Sequence, residues 1–267
     1  MYINILDCVT YFDEDVILKL RLNILNDHVT KFIITEGEYD HRGNKRKLNF
    51  DINKYSEFKD KIVYLPVKTF PELSNPWSML KYQRDHAMTE INKYDDDTFV
   101  IVSDVDEIPK PEKIQEFINS NHKYGVFEQL FFYYKLNMLN LTNKYWHGSK
   151  ICIKKNLKSP DWLREYKTKQ YPWWRIDKPS NVSIIKDAGW HFSFLYDVDG
   201  IIKKISSFQH SEFDKEEIKN RENIIKKMNN GEDIFERNYI FKKIEIDDKF
   251  PKYLIKNKDE YLNWIKK

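Results

Sequence analysis

The chain has 267 residues, 41% of them apolar and 33% charged, and its 45 Lys+Arg against 42 Asp+Glu give a net charge of +3. This ordinary globular composition excludes intrinsic disorder, collagen and coiled coil, and at about 150 residues per domain the length allows one large domain or two closely packed ones. No uncharged apolar run nears the roughly 18 to 20 residues that span a bilayer, and Asp7 interrupts the apolar start, so the chain reads as cytoplasmic, with no signal peptide or anchor.

The opening reads strand, helix, strand. Tyr2 to Leu6 is a short apolar strand, and Val16, Leu20 and Ile24, with Ile17 and Leu25, recur at helical steps. Lys31 to Glu36 is a β-branched strand with a carboxylate at its far end, Gly37 to Asn49 a basic loop, and Lys61 to Val67 another strand. Pro76 suits a first helical turn, and Trp77 to Tyr94 continues as a helix ending in the acidic run Asp95 to Asp97. Thr98 to Val102 is apolar on both faces, as a central parallel strand is, and stops abruptly at Ser103-Asp104. Alternating strands and helices imply βαβ units and a largely parallel sheet, whose ligands bind beyond the carboxyl ends of the strands.

After a helix from about Pro111 to Asn121 the pattern changes. Tyr124 to Met138 and Trp146 to Lys154 read as long aromatic strands, Pro160 to Lys167 as a short helix, and Ser183 to Lys186 as a strand leading into Ala188-Gly-Trp-His-Phe-Ser-Phe194. Ser211 to Asn229 reads as one helix ended by Asn230-Gly231, and the Lys-rich tail from Ile234 ends in an amphipathic piece. With no internal repeat or linker, one domain is expected: a nucleotide-side half at 1–110, a partner-side half at 111–212 and a helical extension at 213–267.

Two cysteines far apart, Cys8 and Cys152, support neither a zinc ribbon nor a disulfide framework and are expected to be buried thiols. None of the seven glycines forms a phosphate-cradling loop. The small positive excess is spread along the chain rather than gathered on one face, so nucleic acid is not an expected partner.

The strongest chemical signal is Asp104-Val-Asp106. Of four Asp-x-Asp pairs (Asp13/Asp15, Asp95/Asp97, Asp104/Asp106, Asp197/Asp199) it alone follows a fully apolar strand. Whether the backbone stays extended or turns, its two carboxylates can converge on one cation, and such hard oxygen ligands suit Mg2+ or Mn2+. Glu107 either joins the cation or caps the next helix. His191, in an aromatic stretch, is a core residue or a third ligand, and His210 has the same two readings. Arg84 pairs with a phosphate, with Asp104 or with an acidic surface residue. The aromatics Tyr145-Trp146, Trp162 and Tyr171-Pro-Trp-Trp174 stack on sugars or fill the core.

These residues come together in a resemblance. Asp7-Cys-Val-Thr-Tyr-Phe-Asp-Glu14, Leu18 to Leu22 with Arg21, Phe32-Ile-Ile-Thr-Glu36 followed by Gly43 and Lys45, Tyr82-Gln-Arg84, Ser103-Asp-Val-Asp-Glu-Ile-Pro109, Ala188-Gly-Trp-His-Phe-Ser193 and Lys204-Ile-Ser-Ser-Phe-Gln-His-Ser-Glu212 resemble, in order, the blocks of glycosyltransferase family 17. That family holds β-1,4-mannosyl-glycoprotein 4-β-N-acetylglucosaminyltransferases. The resemblance implies an α/β GT-A type fold, a mostly parallel sheet flanked by helices with a smaller antiparallel acceptor-side part. It also implies Mn2+ or Mg2+, a UDP-GlcNAc donor, a glycan acceptor and inversion at the anomeric carbon. By the same resemblance Asp104 and Asp106 bridge the metal to the diphosphate, His191 closes the metal site, Glu36 and Lys45 lie on the donor side, and Arg84 lies near the diphosphate. Where the family has Asn-x-Thr-Phe after the early Glu, this chain has Glu38-Tyr-Asp-His41.

Departure of a diphosphate builds negative charge that a bound dication offsets. One-step inversion also needs a base on the acceptor hydroxyl, for which Asp161 is the first candidate, with a helix cap as its other reading, followed by Glu165 and Glu128. Two rival readings remain. A metal-dependent phosphohydrolase or nuclease would want a second cation and more clustered ligands, whereas a non-enzymatic carbohydrate-binding protein leaves the apolar strand into paired Asp unexplained.

Overall fold

The computed structural model describes residues 3–166, 182–207 and 210–267. Strands β1 (Ile5–Thr10), β2 (Lys31–Gly37), β3 (Ile62–Val67) and β4 (Phe99–Asp104) lie in the order β4-β1-β2-β3, all parallel. Helix α1 (Asp15–Leu25) connects β1 to β2, and α2 (Pro76–Asp85) and α3 (Met88–Ile91) precede β4. Both sheet faces are covered, as parallel strands require. Ile5, Val9, Ile34 and Ile101 pack with Ile17 and Leu20 of α1, while Leu6, Cys8, Val100 and Val102 pack with Ala87 and Ile91 on the opposite face.

After β4 the chain turns at Val105 and Asp106 into β5 (Glu107–Pro109), followed by α4 (Pro111–Ile118), β6 (Tyr124–Tyr133), β7 (Met138–Asn140), β8 (Tyr145–Ile153) and α5 (Pro160–Arg164). Strand β8 lies antiparallel between β4 and β6, so one sheet passes from a parallel to an antiparallel half. Next come β9 (Val182–Ile185) and β10 (Gly189–Ser193), both parallel to β6, with β10 also antiparallel to β5. The remaining elements are α6 (Val198–Ser207), α7 (Glu216–Lys219), α8 (Arg221–Asn230), β11 (Phe241–Lys243), paired with β7, and α9 (Lys252–Lys256). This is the expected mixed α/β architecture, with a mostly parallel part joined to antiparallel strands. Both cysteines are buried thiols. Among the described residues no helix is long and apolar enough to cross a membrane.

Several elements depart from the sequence reading. β1 runs on to Thr10 instead of ending at Leu6, because Asp7, in mid-strand, meets Arg21 of α1 and both are wholly buried. The expected helix Trp77 to Tyr94 is two helices, interrupted where the Ala87 N–H closes back on the Arg84 carbonyl. The long strand Tyr124 to Met138 breaks at Tyr134, whose φ is 64°. Helix α6 was not expected at all. It begins where Asp197 accepts the Gly200 N–H at 2.8 Å as an N-terminal cap. The expected helix Ser211 to Asn229 is divided at Asn220, which caps α8, while Gly231 ends α8 at φ 71° as Asn230-Gly231 predicts.

Candidate active site

The C-terminal ends of β1, β4, β6 and β10 open onto one cavity of about 500 Å³. Strand periodicity divides the two aspartates. Asp104, still in β4, shares a face with Val100 and Val102 and so points toward α2 and α5. There its Oδ1 accepts from Arg84 at 3.0 Å and its Oδ2 from Arg164 at 2.8 Å. Burial alone would raise its carboxyl, but Arg164 and Arg84 outweigh burial and hold it far below the carboxylate range. Asp106, in the turn, faces β10. Its Oδ1 stands 3.6 Å from His191 Nε2 and its Oδ2 3.8 Å from Lys204 Nζ, too far for direct hydrogen bonds. Burial opposes its ionisation, and His191 and Lys204 bring its carboxyl below the usual value.

The β5–β10 pairing brings His191 into position. His191 opposes Glu107 in the ladder, and the Phe192 N–H donates to the Asp106 carbonyl at 2.9 Å. Its ring stacks on Phe131 at 4.9 Å and tilts against Trp146 at 5.0 Å, while Nδ1 is buried with no hydrogen-bond partner among the described residues. Glu107 does not cap the next helix, whose N-cap position is Lys110. Its Oε1 accepts from the Trp146 indole at 2.6 Å and Arg164 at 2.7 Å, and its Oε2 from the Asp104 N–H at 3.1 Å. Burial raises the Glu107 carboxyl against the pull of Arg164.

Among the described residues the lining carries five carboxylates (Glu14, Asp104, Asp106, Glu107, Glu212) against Arg84, Lys204 and Arg237, with Arg164 bonded to two of the five from behind. Among the described residues no group of three or more His, Cys, Asp or Glu is arranged to hold a metal ion. Asp104 is tied to its arginines, so the expected set of Asp104, Asp106 and His191 is not one ligand cluster. The remaining pair does fit: two ligands each about 2.1 Å from one dication stand about 3 to 3.6 Å apart, the separation of Asp106 Oδ1 and His191 Nε2.

Other expected residues lie elsewhere. Glu36 is wholly buried away from the cavity lining, its carboxylate filled by Arg46, the Asn49 and Phe50 N–H groups and the Tyr64 hydroxyl at 2.7 to 3.0 Å. It fastens the 37–50 loop and leaves no oxygen for a nucleoside. Lys45 is exposed on that loop, bridged to Tyr39 and outside the lining. Asp161 does not cap its helix; Ser159 does, and Asp161 accepts from Arg84 at 3.1 Å. Glu165 binds the same guanidinium at 3.3 Å, and Glu128 stands 3.5 Å from His147. None of these three lines the cavity. His210 and Trp146 do line it, Trp162 packs against Tyr124 and Tyr166, Tyr145 is exposed, and Tyr171 to Trp174 lie outside the described residues.

Sequence reasoning missed Arg164, Lys204, Glu14 and Arg237. Arg164 acts across 60 positions on Asp104, which no local pattern reveals. Lys204 was signalled only by its place in the last block. Glu14 lines the cavity with Oε2 accepting the Phe12 N–H at 2.8 Å, its carboxyl raised by burial against the pull of Lys204.

A model of glycosyltransferase family 17 matches residues 2–263, while a search of curated proteins finds no match. Solved structures with similarity include a mannosyltransferase, PcManGT from Pyrobaculum calidifontis, in complex with GDP-Man and Mn2+ (10% identity, TM-score 0.31, 49% of this chain and 36% of that one). The chain thus spans about a third of that protein. Others are the inositol-1-phosphate CTP transferase from T. maritima (11%, TM-score 0.37, 69% and 85%) and a glycosyltransferase involved in the glycosylation of the major capsid of PBCV-1 (12%, TM-score 0.33, 68% and 80%).

Proposed function

The chain belongs to glycosyltransferase family 17, and from that premise we propose that its cavity moves GlcNAc from UDP-GlcNAc to a hydroxyl of a glycan acceptor, with inversion, assisted by Mn2+ or Mg2+. The observation that supports this most is the facing pair Asp106 and His191, 3.6 Å apart at the end of the buried strand β4, on the lining of the cavity. A dication held there by Asp106 and His191 would supply Lewis-acid neutralisation of the diphosphate.

The chain's own groups divide the remaining work. Lys204 offers positive charge beside Asp106, where a departing diphosphate gains negative charge, whereas Arg84 is held by Asp104, Asp161 and Glu165. Trp146, beside His191 on the cavity lining, offers an apolar face to a sugar ring. The acceptor-side base is not assigned to Asp161, Glu165 or Glu128, because the first two are bound to Arg84 and none of the three borders the cavity.

The test is incubation of purified protein with UDP-GlcNAc and Mn2+. Slow UDP release that EDTA abolishes is expected, and absence of both binding and turnover with every UDP-sugar tried overturns the reading.

A further inference from the structure

We propose that Arg21, with Asp7, is a positioning residue for the Asp104–Glu107 turn, retained for the geometry of that turn rather than for the stability of the fold. Its consequence for turnover rests on the transferase reading; its consequence for the turn does not.

Both side chains are wholly buried. Arg21 donates from Nε to Asp7 Oδ2 at 2.7 Å and from Nη2 to Asp7 Oδ1 at 2.6 Å, the two-pronged match of guanidinium to carboxylate. Nη2 also donates to Ser103 Oγ at 3.0 Å. Nη1 donates to the Glu107 carbonyl and stands 3.5 Å from the carbonyls of Asp104 and Val105. A second path runs to the same point: Ser103 Oγ donates to Ser149 Oγ at 2.8 Å, and Ser149 Oγ donates to the Glu107 carbonyl at 2.9 Å.

A buried ion pair is weak evidence for stability, because apolar residues of similar volume often do as well or better in its place. Apolar residues cannot supply donors to the converging carbonyls of a turn that leaves its strand partners behind, and buried carbonyls need donors. The fixed fork of a guanidinium does this from a single side chain. Asp106 lies inside that turn, and its carbonyl is the acceptor that ties it to β10 and so to His191. The sequence carried the signal as two unexplained charges, one in an apolar strand and one on an apolar helix face.

The experiment compares wild type with Asp7→Leu/Arg21→Met and with Arg21→Lys, which keeps the charge but loses the fork. Three readouts are used: thermal midpoint, amide hydrogen exchange, and UDP release from UDP-GlcNAc with Mn2+. Both variants are expected to fold. Exchange at Phe192, whose N–H donates to the Asp106 carbonyl, should rise about tenfold or more while β2 and β3 keep their protection. The turnover number should fall about 100-fold, more than KM changes, as displaced catalytic geometry produces. Wild-type protection at Phe192 in both variants overturns the proposal, and so does an unfolded double variant, which would make the pair a fold determinant. If the wild type itself shows no activity, the transferase reading fails and hydrogen exchange alone decides the role of Arg21.

Discussion

His191 Nε2 faces Asp106 Oδ1 across 3.6 Å, held by the backbone bond from Phe192 to Asp106. Because a shared dication fits that gap, removing either side chain should abolish metal-dependent turnover without unfolding the sheet. Asp106→Ala and His191→Ala are expected to lower turnover at saturating Mn2+ by about 100-fold or more, since Lewis-acid stabilisation is worth several kcal/mol. A Mn2+ titration of UDP release checks this; wild-type metal dependence in either variant refutes the paired-ligand assignment.

Arg164 is the cation that lets Glu107, 1% exposed, sit beneath the cavity. Replacing it with Met leaves Glu107 buried with no partner cation among the described residues, and breaking such a pair costs about 3 kcal/mol or more. Urea unfolding of Arg164→Met measures the loss, which should shrink when Glu107→Gln is added, because the buried charge is then gone. A loss below about 1 kcal/mol would place Arg164 among surface pairs of little worth.

Lys150 donates to the carbonyls of Arg164 and Tyr166 at the end of α5, and burial pushes its pKa from 10.5 down to about 8. Between those values the unfolded chain binds more protons than the folded one, so stability contributed through this group rises with pH across about 8 to 10, by at most about 1.4 kcal/mol per unit. Below pH 8 both states are protonated and the contribution is flat. Denaturant unfolding at several pH values, wild type against Lys150→Met, isolates the slope. Parallel curves would mean that Lys150 stays charged throughout.

Gly189 opens β10 at φ 150°, and a Cβ there would lie 2.2 Å from the Ile108 carbonyl oxygen and 2.9 Å from Pro109 Cα. Both obstacles are backbone of the paired strand β5, so they cannot step aside. Gly189→Ala is expected to lose about 3 kcal/mol or more through strain and overpacking. It should also shift His191 relative to Asp106. A thermal midpoint within a few degrees of wild type would contradict this account.

The parallel half of the fold was legible because its signals are local: β2, β3 and β4 are short apolar runs, and α1 repeats at helical steps. The meeting of Asp104, Asp106 and His191 at one cavity was legible for the same reason, since a buried strand must end at the sheet's carboxyl edge. What each carboxylate does there was not. Asp104 and Asp106 differ because the chain turns between them, and only their distant partners, Arg84 and Arg164 on one side and His191 on the other, show which way each points. Glu36 misled for a related reason: a carboxylate at a strand end signals a ligand or a loop anchor equally, and four donors from 46–64 decide for the anchor. Helix α6 was hidden by Gly200 within its first turn, although Val198, Ile201, Ile202 and Ile205 keep the period.

Strand β8 sits between β4 and β6, so the strand that delivers the two aspartates acquires its second neighbour only from residues 145–153. During synthesis a nascent chain released to about Asn121 would display β4 as a bare, apolar edge, the kind of template on which chains aggregate. A cut at that point should therefore yield inclusion bodies rather than an independently folded unit, and the ribosome must deliver the antiparallel strands before the parallel ones are safe from one another.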